Sequence, residues 1–312
     1  MPLLHSTRTL ARLGLAELSR SRHKCLQALL ISSCSDASRP DSRDVAFGVA
    51  PRINATGRMS HTAGALAVFE AALDEKTTRH SVDRLDHLNL ERRRTVKLHF
   101  EELVESVGEN IPAGLVVYRE TSPNGVAGLL ASKCVEKYSV PSIVLVPSTT
   151  PGLVVGSGRS MPGIALVEHL RPFSRLFVRF GGHAQAVGIT MALEHIREFQ
   201  DAFAGSFAPG SRVDGRSVNA QAKLCLSTVG RHFHDQLLML EPFKVGNPAP
   251  VFSIGLTEVV SARNRWVRVR QQRHSIEVLS WDAAVDQGMK GDCLVEFYGK
   301  TRILRGFTPR KA

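Results

Sequence analysis

Between residues 109 and 207, strand-length apolar runs alternate with helix-length segments, and this restricts the fold more than any other feature of the chain. The runs are Gly114–Glu120, Pro141–Pro147, Leu153–Val155, Leu176–Phe180 and Val187–Met191. Helical stretches fall at Val126–Tyr138, from about Ile164, and from Glu194. A sheet whose strands are apolar throughout must be covered by helices, so the expected class is α/β with a mostly buried sheet. Leu153–Val155 begins a strand that ends in Gly156-Ser157-Gly158-Arg159-Ser160, and Leu176–Phe180 is followed by Gly181-Gly182-His183, where two glycines at a strand end allow a tight turn or a ligand against the backbone.

The flanks have a different character. Residues 59–107 contain no proline and are rich in Ala, Leu, Glu and Arg, which predicts a long charged helix pair acting as a connector. Residues 7–31 place Leu10, Leu13, Leu18, Leu26, Leu29 and Leu30 at helical spacing, predicting an amphipathic helix of the folded body. The first 33 residues are Arg- and Ser-rich with Glu17 as the single carboxylate, a composition that transit peptides share. Residues 32–43 read as a loop, and Pro51–Arg58 as an exposed basic loop bounded by Pro51 and Gly57. Residues 206–217 read as a linker. After it the pattern turns mainly β, with strands expected at Val251–Ile254, Trp266–Arg270, Ser275–Trp281 and Cys293–Gly299, the spacing of a small barrel.

A chain of 312 residues exceeds one ordinary core, so two or three units are expected. The formal charge is +11, concentrated at the ends: net +5 in residues 1–58 and net +7 in residues 208–312. Such a balance favours polyanions or anionic membrane surfaces as partners. The five cysteines are scattered and form no C-x-x-C, which fits a reduced cytoplasmic protein and excludes a disulfide framework or a zinc knuckle. No apolar run approaches the roughly 20 residues of a membrane span.

Several residues carry chemistry. In Gly156–Ser160 the glycines allow close backbone approach, Ser157 and Ser160 offer hydroxyls, and Arg159 offers a planar fork suited to phosphate. The same residues also suit a glycine-rich turn with a solvated arginine. Gly181, Gly182 and His183 could let a ligand lie against the backbone, or simply form a tight turn. Arg52, Asn54 and Arg58 could contact phosphate or sit in a basic loop. Glu91–Arg94 reads as a solvated helix face or, alternatively, as a contact to a backbone phosphate, and His232-Phe233-His234 as surface. On a strand, Trp266, Arg268 and Arg270 share one face and Val267 and Val269 the other. An aromatic beside cations is a surface that grips single-stranded nucleic acid. No D-x-D, D-H-H or dense Asp/His cluster of the kind that holds hydrolytic metal ions is present, and Asp86-His87-Leu88 ends in a residue that cannot bind metal.

Five segments together resemble the RecJ exonucleases of the DHH/DHHA1 superfamily. They are Pro51–Arg58 (PRINATGR), Leu88-Asn89-Leu90-Glu91-Arg92-Arg93, Gly156–Ser160, Phe180–Gly188 (FGGHAQAVG) and Glu241–Phe252 (EPFKVGNPAPVF). The resemblance implies that residues 1–58 are the tail of a DHH domain, 59–108 the helical connector, 109–207 an α/β DHHA1 domain with a mixed sheet, and 208–312 an OB-fold barrel. It further implies 5′→3′ degradation of single-stranded DNA in recombination and repair, using Mn2+ or Mg2+ held by a DHH domain whose metal motifs this chain lacks. In that pattern Ser157 and Arg159 hold the terminal phosphate with Arg58 nearby, and Gly181, Gly182 and His183 line the cleft. A separate catalytic DHH half is the partner this pattern implies. Where the family usually has His-Glu-Gly, this chain has Pro123-Asn124-Gly125, which removes a titratable pair from the cleft. The expected role is therefore the DNA- and 5′-phosphate-binding part of such a nuclease, inactive alone. The alternatives are a non-catalytic single-strand-binding module and a DHH-type phosphoesterase acting on short oligonucleotides.

Overall fold

The computed structural model describes residues 2–34, 36–59, 75–207, 219–280, 285–298 and 301–310. These fall into two compact units: one takes the described residues up to 51, from 75 to 79 and from 219 on, and the other takes 52–59 and 80–207.

The amino-terminal periodicity resolves into two helices, α1 (His5–Arg20) and α2 (Lys24–Ser33). Helix α2 buries Cys25, Leu29 and Leu30, whereas Leu10 and Leu13 of α1 are 66% and 59% exposed, so α1 contributes little to the core. The Arg8 guanidinium anchors α1 by donating to the Leu240 carbonyl at 2.7 Å. The segment read as a basic loop is helical. A π-helical turn, Asp44–Val49, runs into α3 (Ala50–Arg58), so the wide turn falls directly before Pro51, whose ring removes a donor from the ladder. Within the connector, helix α4 (Glu75–Val107) is one continuous element of 33 residues. It stops at Gly108, whose φ of +68° places it in the left-handed region that closes a helix. The expected second helix of the pair would lie in 60–74, outside the described residues.

The α/β unit holds a five-stranded mixed sheet in the order β1-β2-β3-β5-β4, made of β1 (Leu115–Tyr118), β2 (Ser142–Pro147), β3 (Leu153–Arg159), β4 (Phe177–His183) and β5 (Ala186–Ala192). Only β1–β2 is parallel. Helix α5 (Ala127–Tyr138) and the latter half of α4 cover one face, where Val96, Leu103, Val117, Leu130, Val144 and Val146 share a core. Helices α6 (Leu166–Leu170) and α7 (Ile196–Gly205) cover the other, with Ile143, Leu145, Phe199 and Phe203 inside. Phe199 and Phe203 are fully buried and stabilise this face by about 1.5–3 kcal/mol each. Both glycine-rich segments belong to strands rather than turns: Gly156–Arg159 completes β3 and Gly181–His183 completes β4.

The β-rich part contains β6 (Ala222–Lys223), helix α8 (Arg231–Leu240), β7 (Val251–Arg263), β8 (Trp266–Gln271), β9 (His274–Ser280), β10 (Lys290–Tyr298) and β11 (Thr301–Pro309). Strand β7 is far longer than the sequence pattern suggests, and β11 lies where that pattern gives no strand. Trp281 and Gly299, placed at the ends of two expected strands, lie outside the described residues, as do residues 208–217 of the expected linker. The pairings run β7–β8–β9–β11–β10 and return to β7, with β9–β11 parallel. Ile254, Val267, Val269, Val278, Val295 and Phe297 form the core inside. His234 is not simply a surface residue. It is half-buried beside Phe233 and Phe297, its Nε2 accepts from Arg302 at 2.8 Å, and burial lowers its pKa, so it is held neutral.

None of the five cysteines is joined in a disulfide. Burial pushes Cys134 up to about 12 and Cys293 up to about 11, whereas the hydrogen bond from Ser227 lowers the exposed Cys225. An alkylating probe at about pH 8 should therefore modify Cys225 first and spare Cys134 and Cys293 in the folded protein. Mass-spectrometric mapping that found Cys134 labelled early would contradict the packing of α5 on the sheet.

Candidate nucleic-acid interface

The strand register of the α/β unit decides which predicted residues meet. Alternate residues of β3 face opposite sides. Gly156 and Gly158 point into the core under α6, where a Cβ on Gly158 would come within 2.5 Å of Val187 Cγ2 and 2.9 Å of Leu166 Cδ2. Gly158, expected in the phosphate contact, is thus a packing residue. Ser160 lies past the strand end, its hydroxyl donating to the Ile164 carbonyl at 3.0 Å. Ser157 and Arg159 point the other way, toward the first turn of α5. A Cβ on Gly128 there would sit 2.9 Å from Arg159 Nη2 and 3.2 Å from Ser157 Oγ, so the glycine lets the helix start close against both side chains.

Cross-strand partners extend this face. Ser157 is level with Gly188 and Gly181, and Arg159 with Ala186 and His183. A Cβ on Gly181 or Gly188 would meet nothing within 4 Å, and both glycines are exposed. Beside Ser157 and Arg159, then, lies an open floor of backbone, with exposed His183 at one end. Arg179, level with Thr190 at the other end, is exposed and, among the described residues, has no ion pair. The sequence reading missed it because it sits inside an apolar run. Gly182 has φ +153° and packs against the Ala186 backbone, so it serves the hairpin rather than the floor.

Arg58 closes the cleft from α3. Its Nη1 donates to the Gly125 carbonyl at 3.0 Å, in the short 3-10 turn Asn124–Val126 that opens α5. Gly125 in turn lies against the Arg58 carbonyl so closely that no side chain could stand there. Burial, and secondarily the Arg58 charge, lower the pKa of Arg159; the same two causes, with Arg93 adding to them, lower that of Arg92 on α4. Three guanidiniums therefore converge, and among the described residues none of Arg58, Arg92 and Arg159 has a carboxylate partner. A half-buried cluster of like charges beside a helix N-terminus is complementary to an anion. The other two residues predicted on α3 are placed differently. Arg52 is paired with Asp86, and Asn54 is exposed.

The β-rich part offers a separate surface. Along β8 Val267 and Val269 are buried while Trp266, Arg268 and Arg270 are exposed, Trp266 by 53%. Both arginines are engaged: Arg268 with Glu277 at 2.6 Å and Arg270 with Glu258 at 2.8 Å. The strand face is thus less cationic than expected. A shallow concavity of about 390 Å³ lies beside Trp266, bordered by Val260, Ser261, Arg263, Arg268 and Glu277. Among the described residues, no three or more His, Cys, Asp or Glu side chains gather in a way that could hold a metal ion. No described helix is long and apolar enough to cross a membrane.

No family model matches the chain. Individual relatives do. The single-stranded-DNA-specific exonuclease RecJ of Bacillus subtilis is 29% identical over 261 residues, 80% of this chain and 32% of the relative. RecJ of Dickeya dadantii is 31% identical over 231 residues, 69% of this chain and 39% of the relative. The crystal structure of RecJ from Thermus thermophilus in complex with Mn2+ superposes with a TM-score of 0.80 at 25% identity, over 100% of this chain and 48% of that one. The chain thus spans a third to a half of the length of these relatives. The sequence similarity and the shared α/β architecture with mixed sheets make this chain a RecJ-family relative of the DHH/DHHA1 class.

Proposed function

We propose that the chain supplies the DNA-gripping part of a RecJ-type 5′→3′ single-stranded-DNA exonuclease serving recombination and repair. The observation that carries this is the cleft of Arg58, Arg92, Arg159 and Ser157 against the start of α5, opening onto the Gly181–Gly188 floor. Its charge suits a terminal phosphate, and the open backbone floor suits the first sugar and base. His183 and Arg179 flank the path. On this reading, residues 109–207 are the DHHA1 domain, 59–108 the connector and 1–58 the DHH remnant. Residues 208–312 are an OB-fold, which the closed five-strand ring with parallel β9–β11 supports. The free thiols fit the cytoplasm.

Related RecJ structures hold Mn2+ or Mg2+. The described residues of this chain do not suit such a site, so the hydrolytic step is assigned to a DHH half outside residues 1–312. Alone, the chain is expected to bind and not to cut. The test is an anisotropy titration of a fluorescent single strand, with and without a 5′-phosphate, across salt concentrations. Tighter binding of the phosphorylated strand, weakening steeply with salt, supports the proposal. Equal affinity for both ends at every salt concentration would remove the terminal-phosphate assignment.

Trp266 is the stacking candidate of the β-rich part. Because Arg268 and Arg270 already have carboxylate partners, the indole rather than the charges should dominate there. Trp266→Ala should weaken any single strand, whatever its sequence or end, by about 1–3 kcal/mol. A larger loss in an Arg268→Ala variant than in Trp266→Ala would reverse that ranking.

A further inference from the structure

The buried face of α4 follows a helical stripe through Val82, Leu85, Asn89, Arg92, Val96 and Leu103. The stripe is apolar at both ends and polar in the middle. Asn89 is only 8% exposed, and its Oδ1 is buried with no partner among the described residues. Arg92, one turn later, is half-buried, and its Nε is also buried with no partner. Two unsatisfied polar side chains in the middle of a packed stripe are costly, and a leucine at either position would continue the apolar surface.

Their position says what they face. Val96, the next stripe residue, belongs to the core cluster that contains Val126 and Ala127 at the start of α5. Arg92 lies near enough to Arg58 for their charges to repel, and Arg58 bonds to the Gly125 carbonyl in the turn that opens α5, so Arg92 belongs to the same cluster. Residues three apart on a helix bring their side chains within reach of each other, so Asn89 Oδ1 can accept from Arg92 Nε. That bond would satisfy both orphaned atoms and leave the two terminal nitrogens of Arg92 free as a fork.

We propose that Arg92 is a third phosphate-binding arginine of the cleft and that Asn89 is its positioning residue, together making the site selective for a dianionic phosphate monoester over a monoanionic diester. This rests on the terminal-phosphate reading above. Two guanidiniums from α3 and β3 suffice for a diester; a third, from α4, matches the extra charge that only a chain end carries. Burial, and then the Arg58 and Arg93 charges, lower the pKa of Arg92, which has no carboxylate partner among the described residues.

The experiment compares binding of 5′-phosphorylated and 5′-hydroxyl oligothymidylate to the full chain and to its Arg92→Met, Arg92→Lys, Asn89→Leu and Arg159→Ala variants. Arg92→Met keeps most of the packing and removes the charge. It should weaken the phosphorylated strand more than the hydroxyl strand, lowering the phosphate preference about tenfold. Arg92→Lys should recover only part of the preference, since a point charge replaces a fork. Asn89→Leu should raise the melting temperature by a few degrees yet lower the preference, which a purely structural role could not do. If Arg159→Ala abolishes the preference while Arg92→Met and Asn89→Leu leave it unchanged, the present inference fails and the cleft assignment stands. If Arg159→Ala also leaves it unchanged, the cleft assignment itself fails.

Discussion

Arg159→Ala is expected to abolish the preference for a 5′-phosphorylated strand, a loss of about 1.5–3 kcal/mol or roughly ten- to hundredfold in relative affinity. The magnitude follows from the side chain's setting. Arg159 is half-buried, its Nη1 is spent on the Gly158 carbonyl at 2.7 Å, and Nη2 faces Gly128 beside Ser157. A charge-assisted hydrogen bond made there is screened less than one on the surface. The same variant should not destabilise the fold. Burial and Arg58 both disfavour the charged form of Arg159, so removing that charge relieves repulsion in the folded state. Thermal melting with and without inorganic phosphate separates the two effects. The wild type should gain stability from phosphate by mass action, whereas the variant should melt at or above the wild-type temperature without it and gain little from it. A variant that melts well below wild type and still responds to phosphate would show Arg159 to be a packing residue.

How far this site could be read from sequence depended on periodicity. The apolar runs placed β1, β2 and β5 and helix α5 to within about two residues, most clearly for β1 and β2, which are buried on both faces and leave an unbroken signal. The glycine-rich segments were less legible. Gly156–Arg159 and Gly181–His183 were open between a turn and a ligand contact, and both are strand. The glycines serve two unrelated purposes there, Gly156 and Gly158 making room for the core and Gly181 keeping a floor clear. Only the register separates those purposes, and the register is a tertiary fact. Pro51 and Gly57 similarly suggested a loop where a π-turn lets the helix continue. Arg268 and Arg270 looked like free cations because their partners, Glu277 and Glu258, are neighbours across strands and not along the chain. Arg92 was hidden in the opposite way. It stands in the charged run Glu91–Arg94, where a solvated face is the ordinary expectation, and only the packing of Val96 and Leu85 on either side turns it inward. The failures thus fall mostly at the residues proposed to bind the strand, and local rules are most often broken at functional sites.

Gly125→Ala should be the most damaging single-methyl change in the cleft. An alanine Cβ at this position would overlap the Arg58 carbonyl and lie about 2.7–2.8 Å from its C and Cα atoms. These are backbone atoms, so no rotamer change relieves the clash. The 3-10 turn Asn124–Val126 and the end of α3 would have to separate. Val126 and Ala127 follow at once in the α5 core, where they are 0% and 2% exposed and cannot yield. The movement must therefore fall on α3, carrying Arg58 away from Arg159 and breaking its hydrogen bond to Gly125. Overpacking of this kind costs about 1–3 kcal/mol, and the cleft loses one of its guanidiniums in addition. The variant should melt several degrees lower and lose phosphate preference together, whereas Gly181→Ala, with open space around its Cβ, should leave melting unchanged and impair only strand binding. If Gly125→Ala left both stability and end preference intact, α3 would not be docked on the start of α5, and the convergence of Arg58 with Arg159 would have to be given up.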